Sequence, residues 1–146
     1  MALMRVAILL LFSPLLMADD RRAEVNYMLH CQGCHLPDAA GFEGKVPPMK
    51  DFVGYFLHSD EGRRFVVRVP GVAQSALSDD ELAELVNWLV TKFSAEQLPA
   101  PFLPFTPDEV RALRMDPEPD PEDARVAILS SIATDVPALR AELERM

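Results

Sequence analysis

The sequence predicts a helical fold, on three observations. Leu82, Leu85, Val86, Leu89, Val90 and Phe93 form one continuous apolar stripe at helical spacing across residues 79–93. Helix-start chemistry precedes two segments. Ser78 followed by Glu81 is a capping box, and Thr106-Pro107-Asp108-Glu109 offers a cap, a proline at the first position and an acid at the third. Around the two cysteines, finally, no strand alternates with a helix.

Taken in order, the chain opens with Arg5, an apolar run from Val6 to Met17 broken by Pro14, and Ala18 before the charged Asp19-Asp20-Arg21-Arg22. This is the pattern of a secretory signal peptide over residues 1–18. The run falls short of the roughly 20 apolar residues that a membrane span needs. Cleavage after Ala18 leaves residues 19–146; an uncleaved N-terminal anchor is the competing reading. Residues 20–33 read as a helix, with Asp19 or Asp20 as cap and Ala23, Tyr27 and Cys31 on one face. From Leu36 to Met49, Pro37, Gly41, Gly44, Pro47 and Pro48 define a loop. Phe52, Val53, Phe56 and Leu57 suit a short helix over 51–58, against which Gly54 counts. Phe65-Val66-Val67-Arg68-Val69 fits either an extended segment or a last helical turn. Helix 79–93 is the best defined, with Asp79 and Asp80 at the positive end of its dipole and Trp88 expected against the first helix.

Beyond Ser94 the composition changes. Leu98 to Phe105 is proline-spaced, with large apolar residues expected to lie against the rest of the chain. After the Thr106 start, the run Asp116-Pro117-Glu118-Pro119-Asp120-Pro121 breaks the helix. Pro121 opens another through Ile132, with Val126 and Leu129 inside, and Asp135-Val136-Pro137 begins a last short one. Helices this short need a packing partner, the same chain first and a docked protein second. The chain thus divides into 1–18, 19–95 and 96–146.

The chemistry concentrates in Cys31-Gln32-Gly33-Cys34-His35, which holds both cysteines of the chain. C-x-x-C-H is the attachment signature of c-type haem: each thiol adds to a vinyl group and the adjoining histidine coordinates the iron. A disulfide across so small a loop contributes little. A redox pair wants a βαβ context, and a zinc site wants further ligands where only His30 and His58 remain. Gly33 leaves room for close backbone approach, and a carbonyl of the 36–49 loop can accept the His35 Nδ1 proton. His30 reads as a surface residue. The net charge of −9, or −10 once Arg5 is removed, argues against nucleic acid and for a basic or mixed-charge protein partner.

A helix entering C-Q-G-C-H, a proline-containing loop, a short helix and a capped helix carrying Asn87-Trp88-Leu89 together resemble a class I monohaem cytochrome c over about residues 20–95. Gly44 to Met49 is similar to the stretch behind that family's proximal histidine. The resemblance implies an all-α fold around one covalent haem c, held by Cys31 and Cys34 with His35 on the iron, and followed here by a C-terminal extension of short helices. It implies one-electron transfer between redox protein partners rather than enzymatic turnover, and the signal peptide of residues 1–18 puts the expected location in the periplasm. A membrane enters only if the N-terminal segment is retained.

The sequence departs from the family at one place. The loop Val69 to Leu77, where most members carry an axial methionine, holds neither Met nor His. Met49, His58 and Met115 are the candidates for the sixth iron position, Met28 being badly placed on the attachment helix; the remaining choice is no protein ligand. An open position implies gas binding or peroxide chemistry. A further alternative is a haem subunit of a dehydrogenase, with 96–146 as its interface. Arg63, Arg64 and Arg68 suit haem propionates, the rim of an exposed haem edge, or plain solvent.

Overall fold

The computed structural model describes residues 15–145. The expected leader therefore lies largely outside the described residues. Among these no helix is long and apolar enough to cross a membrane.

Two helices far apart in sequence make the frame. Helix α1 (Leu15–His30) enters the cysteine turn, and its buried residues Ala23, Asn26 and Tyr27 lie on one side. The helix thus ends at His30, three residues short of the predicted 33. Between it and its partner come α2 (Gln32–His35), a 3-10 turn (Val53–His58), α3 (Asp60–Arg68) and α4 (Pro70–Ala73). Helix α5 (Asp79–Ser94) follows, and its predicted stripe is buried at Leu82, Leu85, Val86, Leu89 and Val90. The predicted box closes in both directions: Glu81 N donates to Ser78 Oγ at 3.3 Å, and Ser78 N donates to the Glu81 carboxylate at 3.0 Å.

The α1 and α5 faces meet at aromatic rings. Tyr27, 2% exposed, lies 5.8 Å from Trp88 and 5.1 Å from Phe93 between ring centroids, as expected of Trp88. Arg22 adds a forked contact to Glu84, at 2.6 and 2.9 Å. Gly54 is required by packing: a Cβ there would come within 2.7 Å of the Ser94 carbonyl oxygen, and Gly54 N donates to Ser94 Oγ at 2.9 Å. That residue therefore fits the 3-10 turn against the end of α5 rather than breaking it.

The ambiguous run from Phe65 is helical. Ser59 Oγ accepts from Gly62 N at 3.0 Å and starts α3, with Asp60 and Glu61 in the first turn, so Phe65 to Arg68 form its second half. The fold is all-α, as the sequence predicts. Among the described residues there is no strand, and one bridge, Phe42 with Val46, pins the loop.

The segment after α5 folds back on the same chain. Asn87 holds the Phe105 backbone from both sides, donating to its carbonyl at 2.9 Å and accepting from its N–H at 2.7 Å. Helix α6 (Pro107–Arg114) lies against α5 and α3, α7 (Pro121–Asp135) against α3 and the 3-10 turn, and α8 (Pro137–Leu143) against α7. Ile128, Leu129, Ile132 and Leu139 join one apolar core with Tyr27, Phe56 and Leu89. Val126, expected inside, is 65% exposed; Ile128 takes the buried face instead.

Candidate functional site

The five-residue motif is shaped by its backbone. Cys31 N donates to Tyr27 O at 2.9 Å, extending α1 by one bond, and then Cys34 N and His35 N converge on the Cys31 carbonyl at 3.2 and 3.0 Å. Cys31 and Cys34 therefore share one turn, with His35 directly after them. Both thiols are unbridged. Cys31 packs half-buried against the core, and burial pushes its thiol up to about 11, whereas Cys34 is exposed. Gly33 has open space at its Cβ position, so no described residue uses the close approach it was expected to allow.

His35 is half-buried, and burial lowers its pKa while the Pro47 carbonyl pulls it up. The neutral imidazole, the form that binds metals, is thereby favoured. Nδ1 is buried, yet the Pro47 contact stops short of a hydrogen bond. The loop is built around this histidine. Gly41 N donates to His35 O at 3.1 Å, and Phe42 and Val46 exchange bonds of 2.9 and 2.8 Å. Gly41 has φ +68°, and a Cβ on it would stand 2.3 Å from Val46 O and 2.9 Å from Pro47 O. Only glycine lets the loop close on His35 this tightly.

One residue of the site, Leu36, escaped the sequence reading, and the role of a second, Tyr27, was read there only as a place on the helix face. Leu36 has φ 68° and ψ 164°, a region that glycine alone occupies readily, at a strain of about 1–3 kcal/mol. Three bonds hold it there: Tyr27 Oη donates to Leu36 O at 2.6 Å, Leu36 N donates to Gln32 O at 2.9 Å, and Ala39 N donates to Leu36 O at 3.2 Å. Burial first, then the nearby Cys31 and Asp38, push the Tyr27 hydroxyl up to about 12, so it stays a donor. The available signal was a tyrosine, rather than a phenylalanine, on a buried face one turn before Cys31.

The four sixth-ligand candidates are scattered. His58 is exposed, with Nε2 2.9 Å from Gln97 O. Met49 belongs to the loop around His35: its N–H donates to Ala39 O at 2.9 Å and its side chain packs on the core. Met115 and Met28 are 79% and 55% exposed. His30 is exposed, as expected.

The arginine cluster is divided. Arg63 forks onto Glu109 at 2.6 and 2.8 Å, reaches Leu103 O at 2.7 Å and covers the Phe105 ring at 3.9 Å. Arg68 binds Asp116 O at 2.6 Å and its carboxylate at 2.9 Å. Two of the three thus fasten the C-terminal segment. Arg64 lines a cavity of about 350 Å³ between α3 and α7 whose other charged walls are Arg68, Asp60, Glu61 and Glu118. No residue of the cysteine turn borders it.

Chemically, the turn offers two free thiols able to add to separate vinyl groups and one neutral imidazole beside them. Among the described residues no cluster of three His, Cys, Asp or Glu could hold a metal ion, so the thiols have no companions for a zinc site. Among the described residues there is no strand, and with it a thioredoxin-like context is missing.

No protein-family model matches the chain, and no solved structure does. Two curated proteins are similar to it. Cytochrome c-552 of Thermus thermophilus is 29% identical over 102 residues, covering 58% of this chain and 78% of that protein. A second cytochrome c-552, from a named strain of the same organism, is likewise 29% identical over 102 residues, with 58% and 69% covered. This distant likeness, on an all-α chain whose two cysteines and adjoining histidine share one turn, points to a c-type cytochrome.

Proposed function

We infer that the chain is an exported electron carrier holding one haem c through thioethers at Cys31 and Cys34, with His35 as the proximal iron ligand. One observation carries this reading: two unbridged thiols and a neutral, half-buried imidazole lie on a single turn inside a loop built around that imidazole. The residues fit the group on two further counts. The buried His35 Nδ1 makes no hydrogen bond among the described residues, and the Pro47 carbonyl that acts on the ring is a group of the kind that orients a metal-bound histidine. The apolar core behind Cys31 supplies low-dielectric surroundings.

When bound, the haem supplies a one-electron couple. The chain's part is to anchor it at Cys31 and Cys34, fix the His35 ring through the Gly41–Pro47 loop, and keep water from the buried side. Redox proteins of basic or mixed charge are the partners that the net charge of −9 favours. A dehydrogenase subunit that used 96–146 as its interface is less well supported, because α6 already packs on α3 and α5, α7 on α3 and the 3-10 turn, and α8 on α7.

The test is expression with export and haem-attachment machinery, followed by denaturation and acid–acetone extraction. Haem that stays with the polypeptide, gives a pyridine haemochrome of the two-thioether type and titrates as a single one-electron couple is the expected result. Cys31→Ser with Cys34→Ser should release it. Haem extracted from the unaltered chain, or none incorporated, would overturn the reading.

A further inference from the structure

We propose that the iron position opposite His35 takes none of the side chains of His30, His58, Met28, Met49 or Met115 and is a binding site for a small exogenous ligand: a neutral diatomic molecule on ferrous iron, an anion or imidazole on ferric iron. The proposal rests on the haem reading above, but not on the carrier role. It stands on where the chain places His30, His58, Met28, Met49 and Met115.

A sixth ligand must come from the side of the macrocycle away from His35. Met49 fails on position, since it lies two residues beyond Pro47 in the loop closed around His35, tied to Ala39 O through its N–H. His58 fails on engagement, with Nε2 at hydrogen-bond distance from Gln97 O and its ring set beside Tyr55 at 6.4 Å. Met28, Met115 and His30 present their side chains to solvent. A methionine sulfur or a histidine nitrogen in any of these positions would have to leave its present contacts or the solvent to reach the iron.

The loop between α3 and α5 does not compensate. Residues 69–78 contain no Met, His, Cys or Lys. They are also held firmly. Arg114, at the end of α6, donates to Ala73 O at 3.0 Å, Ser75 O at 2.5 Å and Leu77 O at 2.8 Å, and pairs with Asp79 at 3.2 Å. One guanidinium therefore satisfies three loop carbonyls and ties the loop to the segment beyond α5. A loop so fastened cannot swing aside to admit a distant ligand without breaking all four contacts.

The experiment uses the full-length holoprotein, with covalent haem first verified by pyridine haemochrome so that failure of attachment is read separately. The ferrous protein is then titrated with carbon monoxide, and the ferric protein with imidazole. The expected results are a sharpened, shifted Soret band saturating at one carbon monoxide per haem, and ferrous spectra that Met49→Leu, His58→Phe and Met115→Leu leave unchanged. Bands unmoved by carbon monoxide would overturn the proposal. So would a change of the ferrous spectrum in any one of the three variants, which would name the ligand.

Discussion

Replacing Gly41 and Gly44 by alanine, one at a time, separates two costs that coincide at the histidine loop. Both glycines have a left-handed backbone, at φ +68° and +69°. An alanine at either pays the left-handed penalty of about 1–2 kcal/mol. Gly44 has nothing within 4 Å of the added methyl, so Gly44→Ala should lose that amount and no more. At Gly41 the methyl would stand 2.3 Å from Val46 O, a backbone atom that must move. Overpacking of this kind adds about 1–3 kcal/mol, which places Gly41→Ala at about 2–5 kcal/mol. Urea unfolding of the holoprotein followed by far-ultraviolet circular dichroism measures both. The midpoint potential should move in Gly41→Ala, where the Pro47 carbonyl is pushed from His35, and hold in Gly44→Ala. Equal stability losses in the two variants would refute the close-approach argument, and an unmoved potential would refute the link to His35.

Three other outcomes follow from the packing. Tyr27→Phe keeps the ring contacts with Trp88 and Phe93 but removes the donor to Leu36 O, and should cost about 1–2 kcal/mol in the same unfolding assay. Arg63→Ala removes the fork onto Glu109 and should cost about 2–3 kcal/mol. The Arg63 hydrogen bond holds the Glu109 carboxyl below its ordinary range. Its contribution is therefore present above the unfolded carboxylate pKa of about 4.3 and is lost as pH falls through the lower folded value. Melting temperatures of the parent should drop across that acid window more steeply than those of Arg63→Ala. Ile128→Ala should cost about 2–4 kcal/mol and Val126→Ala less than about 0.5, since one is 4% and the other 65% exposed. Comparable melting temperatures for these two variants would mean that α7 presents its other face to the core.

What the sequence disclosed was local. The Ser78–Glu81 box, the α5 stripe and the C-Q-G-C-H spacing each lie within a few neighbouring residues, and each could be read before any fold was known. What it concealed depends on distant partners. Arg63 and Arg68 looked like surface or propionate-facing charges because Glu109 and Asp116, more than forty residues on, give no sign of their destination. Phe65 to Val69 stayed ambiguous because its helix starts at Ser59, without the glutamate that marked Ser78. Helix α7 misled about Val126 because apolar residues occur around much of its circumference, and periodicity then selects no face. At the site, the strained Leu36 was invisible: nothing in its identity announces a backbone that a buried tyrosine holds in place.

The joining of α1 to α5 also sets an order of events. The contacts that join α1 to α5, such as Arg22 with Glu84, link residues 62 positions apart. They cannot exist until α5 has been synthesised and has found α1. Until then Cys31 lacks the packing that raises its thiol pKa. Folding is therefore the step that makes the two thiols unequal, sheltering Cys31 and leaving Cys34 at the surface.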